Sequence, residues 1–273
     1  MRRHDFLREL HRVLRPRNYL EIGVNDGKGL ALSRVPTIGV DPEFWVTKPV
    51  QCDLQLVKAT SDAFFERADP IRHLRSGRNP LRNARRGRPL FDHWRGGTTL
   101  DFAFIDGMHL FEYALRDFIN VERFSRPTTV IAMDDMLPRR RVEALRGGNP
   151  DGWTGDVFKV ALVLRELRPD LTLIPVDTEP TGVMLVLGAD PTNTTLRERY
   201  DELEARWLTP DPQDVPIEIL ERRGTWDPET LLASEIWPML ARAHHGRGDR
   251  VLARVREALP PPSPGPRRVP ETI

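Results

Sequence analysis

The chain has 273 residues, with 41 Lys and Arg against 40 Asp and Glu and a formal charge of +1, a balance that excludes a globally basic nucleic-acid binder but not a local basic patch. Its single cysteine, Cys52, excludes an internal disulfide and a thiolate metal site, so nothing calls for an oxidising compartment. The charged start MRRHDFLREL and the lack of any long apolar run predict a soluble, cytoplasmic protein with no membrane partner.

In chain order, Asp5 is placed to cap a first helix with Phe6, Leu7, Leu10, Val13 and Leu14 on its apolar face, ending before Pro16. Tyr19 to Ile22 reads as a strand, and Gly23 to Gly27 as a tight turn feeding a short helix. The spacing Glu21-x-Gly23-x-x-x-Gly27 is not the G-x-G-x-x-G of a dinucleotide phosphate turn. A pyrophosphate avoids a neighbouring carboxylate, whereas a sulfonium cation with an amino-acid tail tolerates Glu21. Thr37 to Asp41 is a second strand ending in acid, where a carboxylate can accept both hydroxyls of a ribose. A third strand, Leu54 to Lys58, leads to Ser61 and Asp62, which either cap the next helix or hydrogen-bond an adenine edge.

The most informative stretch runs from Leu100 to Leu137. Leu100 to Ile105 and Thr128 to Met133 are short, apolar and bounded by Gly97 and Pro127, as suits interior strands covered on both faces. Between them Phe111, Ala114, Leu115 and Phe118 mark a helical stripe, so a right-handed crossover makes the strands parallel. Their carboxyl ends then carry Asp106, Asp134 and Asp135 on one sheet edge, with His109 in the loop beyond. Three carboxylates on strands roughly 4.8 Å apart repel one another unless a cation joins them, and a hard divalent ion such as Mg²⁺ suits oxygen ligands. Taken singly, each of these acids also suits an ordinary turn or helix cap.

At this point a family resemblance appears. Glu21-Ile-Gly-Val-Asn-Asp-Gly27 resembles the first motif of class I S-adenosylmethionine-dependent methyltransferases, and Ile38-Gly-Val-Asp41 resembles their ribose-binding acidic strand. Phe104-Ile-Asp106-Gly-Met-His109 with Met133-Asp134-Asp135 is similar to metal-dependent sugar O-methyltransferases of the macrocin and mycinamicin type, and to cephalosporin hydroxylase-like relatives. The resemblance spans about residues 17 to 190. It implies a Rossmann-like α/β sheet, mostly parallel with one antiparallel strand. It also implies S-adenosylmethionine held near Glu21, Gly23, Gly27, Asp41, Ser61, Asp62 and Asp106. Asp106, Asp134 and Asp135 become ligands of Mg²⁺, and His109 the base that deprotonates a sugar hydroxyl.

The downstream chain agrees with that topology. After a helix bearing Val157, Val160, Ala161, Leu164 and Leu167, Leu171 to Asp177 and Gly182 to Leu187 are separated only by Thr178 to Thr181, too few residues for a parallel crossover. They are expected to form an antiparallel hairpin. The domain is thus expected to cover residues 1–190, with an Arg-rich insertion at 67–98. Residues 72–95 hold eight arginines and one acid, Asp92. They read either as a solvated insertion or as a lid for a phosphate-bearing small-molecule substrate or carrier. Gly147 to Gly152 reads as a loop near the metal site that could close over substrate, or as a plain connector.

Residues 191–259 are expected to form a helical extension. Leu196, Tyr200, Leu203 and Trp207 make one stripe, a second helix is interrupted at Pro238, and Asp249 caps a third. Such stripes suit docking or a homo-oligomer surface. The Pro-rich tail, 260–273, is expected to be extended or disordered. The functional expectation is a methyltransferase acting on a hydroxyl of a small polyol or a sugar-bearing natural product. Two other readings stand beside it: a non-catalytic S-adenosylmethionine- or nucleotide-binding accessory protein of a biosynthetic oxygenase, and a carrier or RNA binder working through the Arg segment.

Overall fold

The computed structural model describes residues 1–76, 99–243 and 248–265. Most of the Arg-rich segment, and with it the lid reading, lies outside the described residues.

Short, strongly apolar runs alternate with amphipathic segments, and the described residues form seven strands and flanking helices. In order these are α1 (Arg3–Leu14), β1 (Tyr19–Ile22), β2 (Thr37–Asp41), β3 (Leu54–Lys58), α2 (Ser61–Phe65), α3 (Arg72–Ser76), β4 (Phe102–Ile105), α4 (Phe111–Glu122), β5 (Val130–Met133), α5 (Phe158–Leu167), β6 (Thr172–Val176) and β7 (Val183–Leu187). C-terminal to the sheet follow α6 (Thr195–Glu198), α7 (Tyr200–Trp207), α8 (Ile217–Leu220), α9 (Pro228–Leu232), α10 (Ile236–Arg242) and α11 (Gly248–Ala258).

The strands lie in the order β3-β2-β1-β4-β5-β7-β6. Six run parallel, and β7 is antiparallel to both β5 and β6. This is the Rossmann-like methyltransferase sheet that the motifs implied, with the odd strand inserted inside the sheet rather than at its edge. Register does the positioning. Ile22 pairs with Val40 and Ile105, and Ile105 pairs with Met133. The next residue along each strand is therefore Gly23, Asp41, Asp106 or Asp134, in one row. Met184 of the antiparallel β7 sits opposite Met133, so the turn before β7 delivers Thr181 and Gly182 to that same edge.

Alternation sends one set of strand side chains to each face. Leu20, Ile22, Ala103, Ile105 and Met133 face the cluster built with α2, α4 and α5. Tyr19, Phe102, Phe104, Val130 and Ala132 face α1 together with α9, α10 and α11. The C-terminal stripes therefore dock on the chain's own sheet: Leu196 and Leu203 join the first face, and Leu231, Trp237, Leu240, Leu252 and Val255 the second. Buried aromatic and aliphatic side chains of this size stabilise by about 1.5–3 kcal/mol each.

Several local readings change. The residue preceding α1 is Arg2, and Asp5 lies within the first turn, where Arg8 pairs with it. Thr60, not Ser61 or Asp62, caps α2, its hydroxyl accepting from the Ala63 amide at 3.3 Å. The break in the C-terminal helices falls at Ala233–Glu235, and Pro238 sits in the first turn of α10, where its missing N–H has no intrahelical partner to lose. The start of the Pro-rich tail is pinned: Trp226 Nε1 donates to the Pro260 carbonyl at 2.7 Å, and the Ser263 amide donates to Thr225. No described helix is long and apolar enough to cross a membrane.

Candidate active site

The glycine turn is forced by close approach. Gly23 has φ +85°, and a Cβ there would lie 1.8 Å from the Asp106 carbonyl oxygen; glycine alone lets β1 and β4 converge at this point. Gly27, φ +80°, faces Val46, whose Cγ1 would be 2.8 Å from a Cβ. Beneath the turn Glu21 is buried and accepts from the Tyr19 hydroxyl at 2.8 Å. Burial pushes its carboxyl up to about 8, Tyr19 and the Arg3 charge holding it down only partly.

Asp41 is spent chiefly on the turn. Its Oδ2 accepts from the amides of Val24 at 2.7 Å and Asn25 at 2.9 Å, and its Oδ1 accepts from Glu43 at 2.7 Å. The carboxylate shapes the cradle and keeps lone pairs for a further donor. The segment after β2 lies along the same turn, Trp45 and Thr47 donating to the carbonyls of Asn25 and Asp26, and Trp45 stands exposed beside it. At the β3 end Asp62 pairs with Arg116 of α4 at 3.0 Å. Ser61 faces Asp117, a carboxyl that burial raises to about 7 against the pull of the Ser61 hydroxyl.

At the ends of β4 and β5 the chain brings Asp106, His109 and Asp135 together, one ligand atom from each lying within 4.8 Å of the others. Asp134 is turned away from this group. It continues the alternation of β5, its side chain is almost wholly buried, and it faces the Arg3 guanidinium at the start of α1. The same Arg3 nitrogen lies 3.3 Å from Asp106. Asp135, at φ 59°, leaves the strand direction, and the Thr181 hydroxyl donates to its Oδ1.

His109 is oriented from two sides. Its ring stacks on Trp153 with centroids 5.0 Å apart, and its Nδ1 lies 3.1 Å from the Trp153 carbonyl and 3.2 Å from Asp135 Oδ2. A carbonyl only accepts, so Nδ1 carries the proton and Nε2, 3.6 Å from Asp106 Oδ1, is the nitrogen left to exchange one. Burial works against the imidazolium, but Asp106, Asp135 and the Trp153 carbonyl outweigh it and raise His109 to about 9.

Trp153 belongs to the glycine-rich loop, which is anchored rather than free. Its indole donates to the Leu145 carbonyl at 2.6 Å, Thr154 donates to Glu143, and Gly155, φ +57°, lies against the His109 carbonyl. Asp156 closes the loop by accepting from the Phe111 amide at 2.8 Å, capping α4, and by pairing with Arg146 and Lys159.

The two carboxylates fit a divalent cation, and the Trp153 carbonyl on Nδ1 leaves His109 Nε2 for proton exchange beside them. Arg3, which reaches Asp106, also lines a cavity of about 440 Å³ with Arg2, His4, Arg139, Glu179 and Pro180. Arg3, Trp153 and Thr181 were not foreseen as site residues. Arg3 and Thr181 come from distant segments without a motif, and only the glycine-rich run upstream of Trp153 gave a hint.

Residues 20–136 match a family model described as a methyltransferase domain. No curated protein matches the chain. Solved structures similar to it include an O-methyltransferase from Bacillus cereus in complex with SAH, at 16% identity over 67% of this chain and 80% of that one, TM-score 0.37. Others are TomG, an O-methyltransferase of tomaymycin synthesis from Streptomyces achromogenes in complex with SAM, at 18% over 68% and 79%, TM-score 0.41, and SAH-bound PaMTH1 from Podospora anserina, at 14% over 68% and 78%, TM-score 0.40. The family match falls on β1 to β5, the half of the sheet that carries the Gly23 turn and the acids at the strand ends.

Proposed function

We propose that the chain moves the methyl group of S-adenosylmethionine to a hydroxyl of a small polyol or sugar-bearing natural product, with Mg²⁺ on Asp106 and Asp135 and His109 as the base. The observation that carries this reading is the placement of an oriented His109 and two carboxylates at the same sheet edge as the Gly23 turn. In this reading Gly23, Gly27, Asp41, Ser61 and Asp62 face the cofactor, with Glu21 buried beneath the turn.

A hydroxyl is a poor nucleophile at neutral pH because its proton is held tightly. Asp106 and Asp135 would hold a divalent cation, which would supply the charge that loosens that proton and offset the carboxylates around His109. His109 Nε2 accepts the proton as the oxygen bonds to the methyl carbon and the carbon–sulfur bond breaks, leaving a neutral thioether. Trp153 and Thr181 keep the imidazole and Asp135 in place, so the protein's share is largely alignment.

The test is calorimetric titration with S-adenosylhomocysteine, followed by assays on polyol and glycoside acceptors with and without Mg²⁺. Micromolar binding is expected, and His109→Gln is expected to keep it while lowering turnover about 10²–10⁴-fold. Absence of S-adenosylhomocysteine binding by the folded protein would overturn the reading.

A further inference from the structure

Asp134 and Asp135 are adjacent in the chain but serve different partners. Asp135 turns toward His109 and is fixed by Thr181. Asp134 points to the α1 face, where among the described residues neither of its oxygens meets a hydrogen-bond donor other than the ion-pairing Arg3. A carboxylate this deeply buried needs a cation beside it, and Arg3 is that cation.

Arg3 is held there by its backbone. Its amide donates to the Glu179 carbonyl at 2.9 Å, and the Glu179 amide donates to Met1 at 2.9 Å, so the first residues of the chain are clamped to the turn between β6 and β7. The N-terminus of α1 adds its own positive end to the same place. Arg3 also reaches Asp106, a member of the cation-binding group. One guanidinium therefore engages Asp134 fully and shares Asp106 with whatever occupies the neighbouring site.

Resting on the proposed metal-assisted reading, we infer that Arg3 is the resident counter-cation of Asp134 and sets the affinity of the site for a divalent ion. Asp134 then is a positioning residue that anchors α1 over the site, and it is not a ligand. Arg3 repels the second cation and withholds Asp134 from it.

Mn²⁺ binding to the full-length protein, read by the loss of the free-ion EPR signal, tests this without reference to turnover. Arg3→Met is expected to tighten Mn²⁺ at least tenfold, a gain that misfolding cannot produce. Arg3→Lys should stay near wild type, since the charge remains. Asp135→Asn should weaken binding at least tenfold and Asp134→Asn by less than threefold. The double variant Arg3→Met, Asp134→Asn should return to within threefold of wild type, because the carboxylate freed in the single variant is gone.

The inference is overturned if Asp134→Asn weakens Mn²⁺ as much as Asp135→Asn does. It is equally overturned if Arg3→Met brings no gain, including the case in which no variant binds Mn²⁺. Titrating the same samples with S-adenosylhomocysteine keeps the two readings apart. Loss of that binding in wild type removes the methyltransferase reading, whereas the Arg3 result concerns the carboxylates alone.

Discussion

At the scale of single residues, Gly23 at the sheet edge and His11 of α1 on the sheet face have little freedom. Any side chain at Gly23 would meet the Asp106 carbonyl and would be strained by the positive φ, so Gly23→Ala is expected to cost on the order of 1–3 kcal/mol and to abolish S-adenosylhomocysteine binding. A melt that leaves Tm and binding unchanged would mean that β1 and β4 can separate. His11 sits against the rings of Tyr19 and Phe102, at 4.8 and 4.9 Å, and burial lowers its pKa to about 4. Because the folded value lies below the ordinary 6.5, its contribution to stability is present above about pH 6.5 and is lost as pH falls through 4. His11→Phe should therefore flatten the fall in stability between pH 6.5 and 4, by on the order of 2–3 kcal/mol at the acid end. Parallel Tm curves for the two proteins would contradict it.

Among elements, the joint between the glycine-rich loop and α4 is the most exposed to failure. Asp156 is fully buried, caps α4 and balances both Arg146 and Lys159. Removing Asp156 leaves the buried Lys159 ammonium without its carboxylate, while Arg146 keeps Glu112, and Asp156→Ala is expected to cost about 3–5 kcal/mol. Urea unfolding gives the number, and a loss under 1 kcal/mol would show that water replaces the carboxylate. The strands and the acids at their ends were legible because buried parallel strands leave a plain apolar run ending in a polar residue. The direction of each acid was less so. Asp134 and Asp135 read as one pair, yet the period of two in β5 sends Asp134 toward α1, and the left-handed backbone at Asp135 re-aims its carboxylate. Arg3 and Thr181 escaped notice because they reach the site through tertiary folding alone.

Across the whole molecule, the sequence suggests a domain over residues 1–190 followed by a helical extension over 191–259, and the packing ties the extension to the sheet. Trp237, Leu231 and Leu240 cover the same sheet face as α1. A chain ending at residue 190 would expose that face, so it is expected to be insoluble or molten, and Trp237→Ala should cost about 3–5 kcal/mol. A soluble fragment with wild-type near-ultraviolet circular dichroism would restore the two-part view. The helical periodicity of residues 191–259 was readable, but a stripe does not name the surface it will meet.

Arg222 ties these scales together. Wholly buried, it donates to the carbonyls of Leu137 and Pro180 and pairs with Asp177, two of them within two residues of Asp135 and Thr181. During synthesis this arginine leaves the ribosome after every strand has done so. The edge that carries Asp135 and Thr181 therefore has no fixed shape until late translation. A nascent chain halted before residue 222 should be cut by protease between Leu137 and Gly182, and become resistant only once that residue has folded back.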